Sequence, residues 1–197
     1  MRYKNTVTII ALALLGALLF SFLTIYASAE GSRALKKNID VSARAAVLYE
    51  PTTRAFLYSK NADERLPMAS TTKIMTAIVA LENANISDRV TIDDKAVGTE
   101  GSSAYLKAGE VLTLEELIYA LMLQSANDAA EAIAYHIAGD IDSFACMMNE
   151  KAKQIGMKNT NFVTPSGLDS KDHYSTAYDM ALLAVYALKN DTIREIC

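Results

Sequence analysis

The amino-acid sequence predicts an α+β fold from three observations. Residues 44–58 alternate apolar and polar side chains on both sides of a short turn, which is typical of a β-hairpin. Residues 70–82 are apolar around the whole helical circumference, which indicates a buried helix. Residues 113–196 then form a succession of predicted helices. Because a two-stranded hairpin is marginal alone, the other strands are expected beyond Cys197, and the domain is predicted to be incomplete at its C-terminus.

The N-terminal segment differs from the rest of the chain. Residues 1–29 begin with two basic side chains, continue with an apolar stretch from about Val7 to Ile25 and end on Ala27-Ser28-Ala29. This order is typical of a secretory signal peptide, although about 20 apolar residues also suffice for an uncleaved membrane anchor. In both cases the body of the protein, residues 30–197, is expected to be exported.

Local signals predict the elements that follow the first helix. Short strands are expected within residues 84–112, at "RVTI" and "SSAYLKAGEVL". Thr113 and Glu116 match a capping box, which opens a helix through "LEELIYALML". A break follows, where Asn127 is expected to cap the helix "DAAEAIAYHIA" before Gly139 ends it.

Two further helices are predicted in the last third of the chain. One spans about 143–155 and ends at Gly156, and Cys146 within it is expected to be a small core residue. The other, "AYDMALLAVYALK", follows a loop-rich stretch and a cap at Ser175 or Thr176. The final "DTIREIC" is predicted to be the first turn of another helix.

Composition excludes several classes of function. The chain is 51% hydrophobic and 21% charged, which fits a globular domain. Its net charge is −4 and no basic cluster is present, so nucleic acid is not an expected partner. Cys146 and Cys197 lack metal-ligand spacing, and the chain has only two histidines. We therefore expect neither a metal site nor a cofactor.

Ser70 and Lys73 lie three positions apart at the start of the apolar helix. With 14 serines and 12 lysines, about one Ser-x-x-Lys is expected by chance, so the surroundings of the pair carry the argument. Residues three apart are neighbours on a helix, and burial lowers the pKa of a lysine. A neutral amine beside a hydroxyl is a general base beside a nucleophile. The alternative is that Ser70 only caps the helix and Lys73 extends its ammonium to solvent.

A second polar group lies in "LMLQSANDAAEAIA", where Ser125 and Asn127 fall at a break between two helices. Side chains at such a break can project into a cleft. A hydroxyl there can relay a proton, and an amide can hold both a substrate carbonyl and the lysine. The alternative interpretation is that both residues merely cap the break between the helices.

Three blocks of the sequence together resemble a known family. "MASTTKIMTA", "LMLQSANDAAEAIA" and "TPSGLDSKDHYSTAYDMALLA" are similar, in this order, to the low-molecular-mass penicillin-binding proteins. These are serine-type D-alanyl-D-alanine carboxypeptidases of bacterial cell-wall metabolism. The resemblance covers about Ala43 to Ala187. It implies a β-lactamase/DD-peptidase-like fold, an antiparallel sheet packed with helices plus a helical subdomain, of which residues 30–197 are the N-terminal portion.

The resemblance also implies roles for individual residues. Ser70 would be the nucleophile that attacks a peptidoglycan stem peptide ending in D-Ala-D-Ala, and Lys73 would be its general base, although the base is disputed in related enzymes. Ser125 would relay a proton to the leaving amine, and Asn127 would bind the substrate amide. β-Lactam antibiotics would acylate Ser70 as inhibitors. The implied location is the extracytoplasmic face of the membrane or the cell wall, with membrane-surface association and a part in cell shape.

Departures from the family pattern keep alternatives open. The Lys-Thr-Gly element of the family is expected beyond Cys197, so this fragment alone is predicted to be inactive. A non-catalytic wall-binding homologue and a β-lactamase remain alternatives, although Ala126 and "HYSTAYDM" disfavour the latter. His173 raises a competing Ser–His hydrolase hypothesis, but no G-x-S-x-G stands upstream, so a structural role is favoured for it and for Asp179.

Overall fold

The structure, a computed structural model, describes residues 41–168 and 170–197. The predicted signal peptide over residues 1–29 lies outside these residues. The chain divides after Ser42, and every element below belongs to the unit from Ala43 to Cys197. In chain order the strands and α-helices of this part are β1 (Ala46–Glu50), β2 (Ala55–Lys60), α1 (Lys73–Asn83), β3 (Arg89–Thr91), β4 (Val111–Thr113), α2 (Leu114–Leu123), α3 (Asn127–Ala138), α4 (Ile141–Ile155), α5 (Ala177–Ala187) and α6 (Asp191–Ile196).

The predicted hairpin is present, with β1 and β2 paired antiparallel and one irregularity in register after Leu48. One face of the hairpin packs on α5, where the ring of Phe56 stacks on Tyr178 at 4.6 Å between centroids. The opposite face leaves Leu48 and Leu57 about half exposed, at 54% and 50%. The alternation of the sequence therefore corresponds to one packed face and one open face.

Helix α1 is the centre of the described part, because α2, α3, α4 and α5 all contact it. The buried apolar residues of α1 are Met75, Ala77, Ile78, Val79 and Ala80. They lie around most of its circumference, as the apolar pattern predicts. This arrangement brings Lys73, at the first position of α1, into the interior.

The second strand pair is shorter than predicted. β3 pairs antiparallel with β4, but residues 102–110 of the expected strand "SSAYLKAGEVL" form a loop. The reason is Asp128, whose carboxylate accepts from the backbone N–H groups of Ala104 and Leu106 and from the hydroxyl of Ser103. In a strand those N–H groups would donate to a neighbouring strand, whereas here they donate to a buried carboxylate.

Most helix ends follow the local signals. Thr113 and Glu116 form the predicted capping box of α2, α3 and α4 end at left-handed Gly139 and Gly156, and Thr176 caps α5. Cys146 lies on the exposed side of α4, so its prediction as a core residue is wrong. Within the described ranges, none of the helices combines the length and the apolar character that a membrane span requires.

Asn127 does not cap α3, and this prediction is also wrong. Ala126 stands at the N-cap position and no side chain caps the helix there. Asn127 is instead the first residue of α3, with its side chain directed toward Lys73. Asparagine is a good N-cap in general, but here the side-chain oxygen of Asn127 accepts from Lys73 and its side-chain nitrogen donates to the carbonyl of Glu100.

Candidate active site

Ser70 lies in a short 3-10 turn, Ala69–Thr72, that leads into α1. The sequence predicts an α-helix from Ser70, and the chain instead enters α1 through this tighter turn. Ala69 has a φ of 44°, in a region that residues with a Cβ adopt at a cost of about 1–2 kcal/mol. The turn leaves Ser70 exposed, while Lys73 one turn later is only 2% exposed.

The amine of Lys73 is held by three oxygen atoms. Its Nζ lies 3.3 Å from Ser70 Oγ, 2.6 Å from Asn127 Oδ1 and 2.7 Å from the carbonyl oxygen of Ser166. Both carbonyl oxygens can only accept, so they take two N–H groups of the lysine whatever its protonation state. The third direction points to the Ser70 hydroxyl. There an ammonium donates a hydrogen bond and a neutral amine accepts one.

Burial lowers the pKa of Lys73 from its ordinary value of 10.5 to about 8, because the ammonium loses hydration. None of the ion pairs in the described residues involves this lysine. At pH 7, one unit below the pKa, about one molecule in ten carries the neutral amine. Because Lys73 is buried, the alternative that it extends its ammonium to solvent is wrong. The distance of 3.3 Å between its Nζ and Ser70 Oγ suits a base beside a hydroxyl.

The rate at which Ser70 is acylated is expected to follow the neutral fraction of Lys73. Because the pKa is about 8, the rate should rise about tenfold between pH 6 and 7 and level off above about pH 9. Stopped-flow acylation of the full-length protein by a chromogenic β-lactam, measured from pH 6 to 10, checks this expectation. A rate that is constant between pH 6 and 8 would contradict a base with this pKa.

Asn127 connects the lysine to a loop. Its Oδ1 accepts from Lys73, its Nδ2 donates to the carbonyl of Glu100 at 2.5 Å, and its backbone N–H donates to the carbonyl of Ser102 at 2.7 Å. Since Lys73 is only a donor and the Glu100 carbonyl only an acceptor, the orientation of the amide is fixed. The contact with the lysine is therefore in place, and the contact with a substrate remains a prediction.

Ser125 stands at the break between α2 and α3, where its φ of 55° lies in the left-handed region. Its Oγ is buried and has no hydrogen-bond partner among the described residues. Together with Ser70 and Lys73 it borders a cavity of about 320 Å³, whose other lining residues are Thr71, Ile74, Leu121 and Met122. The fold thus brings Ser125 to the same cavity as the pair, and its part as a proton relay stays a prediction.

A larger cleft of about 640 Å³ opens on the other side of Ser70. Its lining comes from four separate parts of the chain: Ala69, Ser70, Glu100, Gly101, Ser102, Asn127, Ser166, Gly167 and Leu168. Ser70 borders both this cleft and the smaller cavity. A hydroxyl with a base behind it and open space on both sides can meet a peptide carbonyl that enters the cleft.

Sequence reasoning missed the part played by Ser166 and Gly167. The contribution of Ser166 is a backbone carbonyl, which leaves no mark in the side-chain pattern. Gly167 has a φ of 87°, and a Cβ at this position would lie 2.0 Å from the carbonyl oxygen of Ala69. The glycine in "TPSGL" is therefore the one signal that could have located this close approach of the backbone to the turn that carries Ser70.

Replacing Gly167 with alanine is expected to destabilise the protein by about 2–5 kcal/mol. The left-handed φ costs about 1–2 kcal/mol for alanine, and the overlap with Ala69 adds about 1–3 kcal/mol. Gly109→Ala is the matched control, because Gly109 has a φ of 77° but nothing within 4 Å of the added Cβ. Urea unfolding of both variants measures the difference, and equal losses of stability would contradict the close approach.

His173 and Asp179 are both buried. His173 Nε2 lies 2.8 Å from Thr72 Oγ1, so the structure gives no support to a Ser–His hydrolase. Asp179 accepts from the backbone N–H of Asn159 and from Thr160 Oγ1, which fits the predicted structural role. The described residues contain no group of three or more His, Cys, Asp or Glu side chains placed to hold a metal ion.

Comparisons with known proteins identify the family of this chain. Residues 31–196 match the peptidase S11 family, described as D-alanyl-D-alanine carboxypeptidase. The D-alanyl-D-alanine carboxypeptidase DacF of Bacillus subtilis is 39% identical over 186 residues, which are 91% of this chain and 47% of that protein. DacC of Escherichia coli is 40% identical over 154 residues, 73% of this chain and 38% of that protein. The chain thus spans about half the length, or less, of these curated relatives.

Solved structures give the same result. The D-alanyl-D-alanine carboxypeptidase DacD from Francisella tularensis superposes with a TM-score of 0.76 at 40% identity, covering 81% of this chain and 39% of that one. Penicillin binding protein 5 from Haemophilus influenzae superposes with a TM-score of 0.73 at 34% identity, covering 77% and 46%. The mixture of helices and small sheets described above is therefore the α+β fold of DD-peptidases, as the sequence predicts.

Proposed function

This chain belongs to the peptidase S11 family of D-alanyl-D-alanine carboxypeptidases, and from this premise we propose that its protein removes the terminal D-alanine from peptidoglycan stem peptides. The observation that carries the proposal is the contact of the buried Lys73 amine with the exposed Ser70 hydroxyl, 3.3 Å apart at the edge of the cleft. A base of lowered pKa beside a hydroxyl is the arrangement that acyl transfer to serine requires.

The proposed reaction has two stages. In the first, Ser70 Oγ attacks the carbonyl carbon of the penultimate D-alanine while Lys73 Nζ takes the hydroxyl proton. The C–N bond to the terminal D-alanine then breaks, and Ser125 relays the proton from Lys73 to the leaving amine. In the second stage, water attacks the ester carbon and gives up a proton to Lys73. The lysine passes this proton to Ser70 Oγ as the ester C–O bond breaks, which releases the shortened peptide and restores the hydroxyl and the neutral amine.

Asn127 is proposed to position the substrate amide during both stages. Its side chain is anchored between Lys73 and the carbonyl of Glu100, at the wall of the cleft. An amide held at both ends loses little freedom when a substrate arrives, so its orientation is set in advance. The position between base and cleft supports this role.

β-Lactam antibiotics are proposed to acylate Ser70 by the same first stage. Attack on the lactam carbonyl breaks the ring C–N bond, but the leaving nitrogen stays tethered to the acyl group and remains in the site. Water is then expected to reach the ester slowly, so that the acyl-enzyme accumulates. The presence of a penicillin-binding protein among the similar structures supports this proposal.

Export and membrane association belong to the same proposal. The stem peptide is a component of the cell wall, and the pattern of residues 1–29 is that of a signal peptide or an anchor. We place the protein on the extracytoplasmic face of the membrane or in the wall, with a part in cell shape. The greater length of the relatives supports the proposal that residues 30–197 are the N-terminal portion of a catalytic domain.

Release of D-alanine tests the function directly. The full-length gene product should free D-alanine from an N-acetylated tripeptide ending in D-Ala-D-Ala and should leave the peptide ending in L-Ala-L-Ala intact. Binding of the peptide without release would instead indicate a wall-binding homologue. Rapid turnover of nitrocefin would indicate a β-lactamase.

A further inference from the structure

His173 is buried, with only 3% of its surface exposed, between residues 163–164 and Thr72 at the end of the 3-10 turn that leads into α1. Its Nδ1 lies 3.0 Å from the backbone N–H of Val163 and 3.3 Å from that of Thr164. Both groups are donors, so Nδ1 accepts and carries no proton. The neutral ring then carries its proton on Nε2, which donates to Thr72 Oγ1 at 2.8 Å. The backbone therefore fixes the tautomer of this histidine.

The segment that His173 holds is also the one that contacts the lysine. Ser166 gives its carbonyl oxygen to Lys73 Nζ, and the neighbouring carbonyl of Pro165 accepts from Thr76 Oγ1 at 2.6 Å. Thr76 lies one helical turn after Lys73 on α1. Residues 163–166 thus lie along the start of α1. The imidazole of His173 connects residues 163–164 to Thr72, and the carbonyls of residues 165–166 bond to side chains of α1.

We propose that His173 is a positioning residue for the Ser70–Lys73 pair. By holding residues 163–166 against the first turn of α1, it keeps the Ser166 carbonyl on the lysine and leaves the amine directed to the serine hydroxyl. The expected effect of His173 on the acylation rate rests on the proposed function, whereas its expected effect on the pKa of Lys73 does not. The hydrogen bonds of His173 given above go to the segment and to Thr72, so the proposed action on the pair runs through the segment.

The requirement for imidazole follows from its two nitrogens. One must accept from two backbone N–H groups, and the other must donate to Thr72. An apolar ring of similar size fills the space but leaves the partly buried N–H groups of Val163 and Thr164 without this acceptor. Water would then enter to satisfy them. Water near Ser166 restores hydration to the ammonium of Lys73 and brings its pKa back toward the ordinary value.

Three variants of the full-length protein separate positioning from simple packing. His173→Phe keeps the volume and removes both hydrogen bonds, whereas His173→Asn retains an acceptor at the place of Nδ1. His136→Asn is the matched control, because His136 is the other histidine of the chain and lies exposed on α3. The fraction of folded protein is measured first by circular dichroism, and all rates are expressed per folded molecule.

The first readout is the acylation rate by fluorescent penicillin from pH 6 to 10. We expect His173→Phe to lower the rate at pH 7 about tenfold and to move the rise of the profile about one unit to higher pH. His173→Asn should recover part of both changes, and His136→Asn should leave them unaltered. An unshifted profile in folded His173→Phe would overturn the proposal, because a merely structural residue changes the amount of folded enzyme and not its pH dependence.

The second readout needs no enzymatic activity. Titration of Lys73 by NMR, after incorporation of labelled lysine, should give a higher pKa in His173→Phe than in the unaltered protein, with His173→Asn between them. If the unaltered protein fails to react with penicillin, the proposed function fails while this titration still decides the positioning proposal. Equal pKa values of Lys73 in all folded variants would overturn it.

Discussion

Replacing Ser70 with alanine is expected to abolish covalent labelling by fluorescent penicillin, with a loss of rate of about 10⁴-fold or more. Among the described residues, Ser70 supplies the hydroxyl that hydrogen-bonds to Lys73 Nζ. Without Oγ there is no atom on which an ester can form, so the remaining groups of the site can bind a β-lactam but cannot retain it after denaturation. Gel fluorescence after denaturation, with mass spectrometry of the intact protein, measures the covalent product.

The variant should remain folded, because Ser70 is exposed and lies on a turn whose backbone is held by other residues. Thr71→Ala is the matched control: Thr71 is the adjacent hydroxyl, and it donates to the carbonyl of Met68 at 2.5 Å. Labelling of Thr71→Ala should persist. Undiminished labelling of folded Ser70→Ala would show that Ser70 is not the nucleophile. The proposed reaction would then lose its acylation step.

The burial of Lys73 is the part of the site that the sequence predicts best. Apolar residues surround the axis of α1, so no polar face is left for an ammonium, and the lysine is buried. The fold class and most helix ends follow from equally local rules. The capping box at Thr113 and Glu116 is an example, since both partners lie within one turn of each other.

Contacts between distant segments explain two of the predictions that were wrong. Asn127 has a strong local preference for the N-cap, but Lys73 lies 54 positions away in sequence and takes its carbonyl oxygen. Residues 102–110 of the strand expected at 102–112 form a loop because Asp128, also distant in sequence, accepts from their backbone. Local propensity is a weak prior, and a buried charge or carboxylate overrides it.

The contribution of Ser166 illustrates a different limit. Its carbonyl reaches Lys73 across 93 positions of sequence, and any residue type carries such an oxygen. No residue pattern therefore marks it. The sequence does show two residue types that this support requires. Gly167 has no Cβ to collide with the carbonyl of Ala69, and His173 has a second ring nitrogen that can bond to Thr72. The support of the site is thus readable only after the fold has placed these segments together.

Replacing Lys73 with methionine is expected to lower the acylation rate about 10³-fold while the protein stays folded. Methionine fills the volume of the lysine chain and removes a buried ammonium, which offsets part of the cost of leaving the carbonyl oxygens of Asn127 and Ser166 without this donor. The loss of rate reflects the missing general base, whose contribution is typically about 10²–10⁴-fold. Stopped-flow acylation at pH 8 measures the rate, and chemical unfolding confirms that the variant is folded.

Lys73→Arg distinguishes a base from a mere positive charge. Arginine keeps the charge and can donate to the carbonyls of Asn127 and Ser166, but its pKa lies above about 12, so it stays protonated across the whole measurable range. A role as base therefore predicts a loss as large as that of Lys73→Met, with no rise of the rate between pH 6 and 9. If folded Lys73→Arg instead acylated within about tenfold of the unaltered protein, the lysine would act by its charge alone. The proton of Ser70 would then need another acceptor, and the lowered pKa of Lys73 would be a consequence of burial with no part in the reaction.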